Sequence, residues 1–131
     1  MSYVVLDTNV LVSALWTSDG NPALVAHLIP SGSIVPCYCN AILDEYRVVL
    51  SRPRFHFSQH QITQLIDNIK KYGKAVVPGK SDMSLPDESD RVFYDTAKEC
   101  GAILITGNTR HYPLENFIMT PTQFLSFFKD Q

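Results

Sequence analysis

Tyr3-Val4-Val5-Leu6-Asp7-Thr8-Asn9 passes within seven residues from an unbroken apolar run to a carboxylate, a hydroxyl and an amide. A short, near-continuous apolar run bounded by polar residues reads as a parallel strand covered on both faces. Asp7 then stands at the carboxyl end of that strand, and Thr8 and Asn9 open the next helix. Ligands of an open α/β sheet gather at such ends. Asp7 is therefore either a site carboxylate or a plain helix cap, two readings the residue alone leaves level.

The same kind of run recurs at Ser33-Ile34-Val35, Ala75-Val76-Val77, Ala102-Ile103-Leu104-Ile105 and Phe117-Ile118-Met119. Helical stretches separate them. Asn40 can cap a helix reaching about Leu50, and Ser58 one whose Ile62, Leu65, Ile66, Ile69 and Tyr72 form a single apolar stripe ended by Gly73. Thr120-Pro121-Thr122-Gln123 reads as a capping box with proline in the first turn, followed by Phe124, Leu125, Phe127 and Phe128. Strands alternating with helices need right-handed crossovers. The predicted fold is a three-layer α/β/α sandwich with a central, mainly parallel sheet, and 131 residues suit one domain spanning 1–131.

Composition bounds the rest. The chain is 45% hydrophobic and 18% charged, values that put it among folded chains rather than disordered ones. Residues 20–43 carry no charged side chain, but Pro22, Pro30, Pro36 and Ser31-Gly32-Ser33 interrupt them, which excludes a membrane-spanning helix there. The first basic residue is Arg47, so a signal peptide is not expected and the cytoplasm is the expected compartment. Three cysteines, Cys37, Cys39 and Cys100, lack zinc-knuckle spacing and read as idle thiols. His56 and His60 straddle the helix start at Ser58 and read as surface residues rather than a zinc pair. Trp16, with Leu11 and Leu15, reads as packing or a dimer surface in preference to a base-stacking platform. Charge is uneven: residues 1–46 sum to −4, 47–74 to +5 and 75–131 to −3. A solvated helix face alone explains such a basic run, and a nucleic-acid contact is the sharper alternative.

Further acids join Asp7 once helical phase is counted. Around Tyr46, at about 100° per residue, Glu45 falls on the flank of the Ile42, Leu43, Tyr46, Val49, Leu50 stripe, and Asp44 points to water. In a helix from about Glu88 to Cys100, Asp90 shares the inner face with Phe93, Thr96, Ala97 and Cys100, whereas Glu88, Asp95 and Glu99 are free to stay hydrated. An isolated buried carboxylate is strongly disfavoured, so Asp90 calls for a cation or a donor. Asp87 can cap that helix and is a reserve candidate. Thr106-Gly107-Asn108 adds a hydroxyl and an amide at another strand end, although Asn108 also suits a turn. Carboxylates converging from separate segments repel unless a divalent cation sits among them, and all-oxygen ligands favour magnesium or manganese. Such an ion suits phosphate-ester cleavage.

Asp7-Thr8-Asn9-Val10-Leu11-Val12-Ser13, Glu45-Tyr46-Arg47-Val48-Val49-Leu50, Asp87-Glu88-Ser89-Asp90 and Leu104-Ile105-Thr106-Gly107-Asn108, in this order, resemble the PIN-domain nucleases. The resemblance runs from Asp7 to Thr120-Pro121-Thr122-Gln123-Phe124-Leu125 and is strongest to the branch of toxins from bacterial type II toxin–antitoxin systems. It implies that Asp7, Glu45 and Asp90 hold Mg2+ or Mn2+ and activate water to cleave single-stranded RNA, with Thr8, Asn9, Ser13 and Thr106 in support. The fourth acid usual in the family falls at Asn108, whose amide oxygen can still meet a hard cation but with one negative charge fewer. Arg47, Arg52 and Arg54, joined by Arg110 and His111, are then candidates for RNA phosphates. The implied partners are a single-stranded RNA substrate, a cognate antitoxin and a second copy in a homodimer. The competing expectation, motivated by Asn108, is a catalytically weak or inactive module that binds RNA or protein. Aspartyl-phosphate phosphatases need a second Asp where Asn9 stands, and receiver domains need an acceptor Asp that Ser33-Ile34-Val35-Pro36 lacks.

Overall fold

The structure is a computed structural model describing residues 2–130. Five parallel strands, β1 (Ser2–Leu6), β2 (Ile34–Tyr38), β3 (Lys74–Ala75), β4 (Ile103–Ile105) and β5 (Ile118–Met119), form one sheet in the order β3-β2-β1-β4-β5. Six helices connect or follow them: α1 (Thr8–Trp16), α2 (Asn21–His27), α3 (Asn40–Leu50), α4 (Gln59–Tyr72), α5 (Arg91–Cys100) and α6 (Pro121–Lys129). The expected α/β sandwich is the observed architecture. Chain connections move from β1 to β2 to β3 in one direction and then return past β1 to β4 and β5. Right-handed crossovers therefore put helices on both faces, with α5 packed on β1, β2 and β4. The side chains of Val4, Val5, Leu6, Ile34, Leu104 and Ile105 are buried between these layers.

Local sequence explains most boundaries. Ser58 and Gln61 make a reciprocal capping box at α4, and Thr120 and Gln123 make another at α6. The α4 stripe Ile62, Leu65, Ile66 and Ile69 is buried as its phase requires. Gly73 ends α4 where a Cβ would lie 2.2 Å from the Ile69 carbonyl oxygen and 2.3 Å from that of Pro36. Only glycine lets the chain pass so close as it turns into β3.

Four boundaries differ from the sequence reading. Strand β2 runs through Pro36 to Tyr38, because Pro36 pairs with Val4 before the β3 ladder starts at Cys37. Strand β3 stops at Ala75, and Val77 is exposed, so its apolar run marks a sheet edge rather than a covered strand. Residues 21–27 are helical, with Pro22 in the first turn where a missing N–H costs nothing. Asn40 is the first residue of α3 rather than its cap, a place taken by Cys39 without a side-chain bond. Cys37 is buried, and burial pushes its thiol up to about 12; no disulfide occurs among the described residues. No helix among those residues is long and apolar enough to cross a membrane.

Candidate active site

Strands β1 and β4 are neighbours from which the chain departs in opposite directions, so the crevice beyond their carboxyl ends is the topological switch point. Leu6 pairs with Ile105, and the Asp7 N–H donates to the Ile105 carbonyl at 2.9 Å, which sets Asp7 beside Thr106. Asp7 is 5% exposed and occupies the N-cap position of α1, yet its carboxylate caps no backbone N–H. Its Oδ2 instead accepts the hydroxyls of Thr106 at 2.9 Å and Tyr112 at 2.8 Å. The main chain of both donors is itself tied down, Thr106 N–H donating to the Met119 carbonyl and Tyr112 N–H to that of Thr109, which holds this oxygen in place.

Glu45 comes from the middle of α3 and is half-buried, its Oε2 accepting the Thr8 hydroxyl at 2.8 Å. Burial raises its carboxyl, the Thr8 bond lowers it, the negative charge of Asp7 raises it again, and Arg52 lowers it. Asp90 ends the short 3₁₀ turn Glu88–Asp90 that leads into α5, with a side chain 14% exposed. Its Oδ2 is buried without a hydrogen-bond partner. Desolvation, then the charges of Asp7 and Asp87, push this carboxyl up to about 6; His111 pulls it down and Glu45 pushes it up. His111 Nδ1 stands 3.6 Å from Asp90 Oδ2, too far for a hydrogen bond. Asp7, Glu45 and Asp90 thus lie within reach of one another's charge.

A polar web closes the other side. Gly107 N–H donates to Asn9 Oδ1 at 2.9 Å, Asn9 Nδ2 reaches Thr106 Oγ1 at 3.4 Å, and Asn108 N–H donates to the same hydroxyl at 3.1 Å. A Cβ at Gly107 would sit 3.3 Å from Asn9 Oδ1, tight enough to disturb that bond. Asn108 Oδ1 accepts the Arg110 N–H at 3.2 Å and so caps the 3₁₀ turn Thr109–His111. Its amide nitrogen faces His111 Nε2 at 3.0 Å. The amide oxygen is therefore engaged by backbone, and Asn108 serves as a turn residue.

The remaining candidates are spread more widely. Ser13 is exposed, and no described hydrogen bond joins its hydroxyl to the acids. Asp87 is exposed and holds Ser89 through both its N–H and its hydroxyl, which lowers its carboxyl. Arg47 pairs with Asp44 at 3.4 Å; Arg52, Arg54 and Arg110 are exposed, and Arg52 is near enough to Glu45 to lower it. His56 and His60 are exposed. Asp95 corrects the sequence reading: it is 6% exposed, not hydrated, because residues 78–87 fold over α5 and Ser81 N–H donates to its Oδ2 at 3.3 Å. Arg91 pins that segment by donating to the Ser81 carbonyl and hydroxyl and to the Met83 carbonyl while pairing with Glu88.

Two tyrosine hydroxyls escaped the sequence reading, which placed the Tyr46 ring on the α3 stripe and did not consider Tyr112. Tyr112, 5% exposed, donates to Asp7, and burial beside the acids raises its hydroxyl so that it stays a donor. Tyr46 is buried on the α3 stripe and donates to the Leu6 carbonyl at the end of β1. The available signal was Tyr in place of Phe at an inward position, since a buried hydroxyl needs a partner.

The three acids at this crevice offer only oxygen, and one buried carboxylate oxygen has no hydrogen-bond partner, which fits a hard dication. Among the described residues, no three His, Cys, Asp or Glu side chains are already gathered closely enough to enclose an ion. Water or movement of Glu45 and Asp90 would have to complete such a shell.

Comparison with known proteins fits this arrangement. Over 141 residues the chain is 26% identical to the uncharacterized protein MJ1680 of Methanocaldococcus jannaschii, an alignment covering 96% of this chain and 91% of that protein. Residues 3–110 match the PIN domain, a nuclease-type domain that generally uses divalent metal ions. From β1 through the turn that carries Asn108, the chain belongs to the PIN domain family.

Proposed function

We propose that this protein is a ribonuclease that cleaves single-stranded RNA with Mg2+ or Mn2+ and acts as the toxin of a bacterial type II toxin–antitoxin system. The observation that carries the reading is the buried, unpartnered oxygen of Asp90 lying within the electrostatic reach of Asp7 and Glu45. Asp7, Glu45 and Asp90 would hold the ion, which when bound acidifies a water and offsets charge on the phosphodiester. Thr106 and Tyr112 fix Asp7, and Thr8 fixes Glu45, so two of the three carboxylates are oriented before substrate arrives. Asn108 supports the site by shaping the 109–111 turn and by holding His111 near Asp90. Arg47, Arg52, Arg54 and Arg110 supply positive charge for the RNA backbone. The proposed partners are the RNA, a cognate antitoxin and a second copy of the chain. Purified protein should cut single-stranded RNA when Mg2+ or Mn2+ is added, and the Asp7→Ala, Asp90→Ala double variant should not. Equal cutting by both would refute the reading.

One observation favours the second reading, a weak or inactive module that binds RNA or protein. The Asn108 oxygen that stands for the usual acid is occupied by the Arg110 N–H. Calorimetric titration with Mn2+ separates the two: heat of binding that disappears in the double variant supports the nuclease, and RNA retention without metal binding or cleavage supports the module.

A further inference from the structure

Trp16 ends α1 with 63% of its surface exposed, although it is the largest apolar side chain in the protein. It is not isolated. Its ring meets Phe55 edge-on at 5.4 Å and Phe57 at 6.4 Å, and Phe55 and Phe57 stack on each other at 5.5 Å with 14° between their planes. The two phenylalanines belong to Arg52-Pro53-Arg54-Phe55-His56-Phe57, where basic and apolar residues alternate. Arg52, Arg54 and His56 are all exposed, whereas Phe55 and Phe57 are half-buried. The Arg54 guanidinium lies over Phe55, 4.9 Å from the ring centre. His56 has φ 57°, the one positive φ at a non-glycine among the described residues. That left-handed turn directly after the 3₁₀ turn Pro53–Phe55 lets Phe55 and Phe57 stack while His56 stays outside.

We propose that Trp16 and residues 52–57 form a platform on which one nucleic-acid strand stacks its bases and anchors its phosphates on the way to the acid cluster. This rests on the nuclease reading above and says where the substrate strand is held. Helix α1 begins beside Asp7 and ends at Trp16, about 12 Å further along its axis at 1.5 Å per residue, a length a few nucleotides can span. The acids repel a phosphate backbone, and a strand that must approach them needs an anchor elsewhere. An exposed indole seated on packed aromatics and flanked by cations is chemistry that grips a single strand without reading its sequence. No acid occurs between Glu45 and Asp67, Asp44 is paired with Arg47, and Asp19 is the nearest acid along the chain after Trp16. A second copy fits this surface worse. In a two-fold dimer centred on the patch, Arg52, Arg54 and His56 would face themselves, and charged residues are depleted at the cores of such interfaces.

Trp16 is the sole tryptophan, so its emission reports this surface alone. An end-labelled oligouridine of about twelve nucleotides, within the usual site size, is mixed with the full chain in EDTA; Trp16 emission is followed for quenching, and the anisotropy of the oligomer's label gives the affinity of the parent and of every variant. Saturable quenching is expected, together with much weaker binding and no quenching by an abasic oligomer carrying the same phosphates. Trp16→Ala should weaken binding about tenfold or more. Arg52→Ala with Arg54→Ala should reduce the slope of log K against log salt by about 1.4, two contacts at about 0.7 each for a single strand. Oligouridine binding that leaves the emission unchanged, or equal binding of the abasic oligomer, overturns the platform; RNA cleavage dependent on Asp7 and Asp90 would then still uphold the nuclease reading. Quenching without such cleavage upholds the platform and refutes the nuclease. Emission that changes on concentrating the protein alone, with a dimer in sedimentation, makes the patch a contact between copies and overturns the proposal.

Discussion

Replacing Asp90 by Asn should stabilise the metal-free protein at neutral pH while abolishing its activity. Burial and the charges of Asp7, Asp87 and Glu45 raise the Asp90 carboxyl from an ordinary 3.8 to about 6. The native state therefore binds more protons than the unfolded chain between these values, and stability falls as pH rises through that window. At about 1.4 kcal/mol per pH unit, the full penalty above pH 6 is about 3 kcal/mol, and at pH 4.5 only about 1 kcal/mol of it has developed. Asn carries no charge and escapes the penalty. Urea unfolding in EDTA at pH 4.5 and 7.5 should show the variant's advantage growing by about 2 kcal/mol, or about 6 °C in Tm for a chain of this size. A His111→Gln background removes the imidazole 3.6 Å from Asp90, so that the difference reports Asp90 alone. An advantage that stays constant with pH, or a variant less stable than the parent at pH 7.5, would refute the claim that Asp90 is buried against like charge.

Adding Mn2+ at about a hundred times its dissociation constant should stabilise the parent by about 2.7 kcal/mol; the Asp90→Asn variant should gain much less in the same melt, and EDTA should reverse the gain. Tyr112→Phe removes a buried donor from Asp7 Oδ2 at 2.8 Å and should cost about 1.5–3 kcal/mol, the range for bonds to charged groups, read by urea unfolding together with a fall in RNA cleavage. Gly73→Ala places a Cβ 2.2 Å and 2.3 Å from two carbonyl oxygens, so β3 must shift; a loss of about 3 kcal/mol is expected in the same assay, and an unchanged midpoint would contradict the packing at that turn.

Periodicity made the sheet and most helices legible because apolar runs and capping boxes are local signals. Ser58 as a cap and Thr120 with Gln123 as a capping box are the clearest cases. Helix α2 was hidden because Pro22 reads equally as a break and as a first-turn residue, and what decides is packing on α1 and α6, which no local pattern contains. Helical phase placed Glu45 and Asp90 toward the interior, and the structure brings both within reach of Asp7. Phase failed at Asp95, whose burial comes from a distant segment held down by Arg91. Tyr112 lies far along the chain from Asp7, and only the pairing of β1 with β4 makes them neighbours.

The turn after β4 also explains why a neutral residue is tolerated at position 108. Asp90 already bears the repulsion of Asp7, Asp87 and Glu45, and its own proton affinity is raised by them. A carboxylate at position 108 would add a further like charge to the group and remove the amide nitrogen that meets His111 Nε2. With that contact, the imidazole keeps Nδ1 toward Asp90, where its charge is a force lowering that carboxyl. For an ion held there, Asn108 would weaken the attraction, and before one binds it lessens the repulsion among the acids. The two effects have one origin, the loss of a single negative charge, so an acid restored at position 108 should raise metal affinity and lower metal-free stability together.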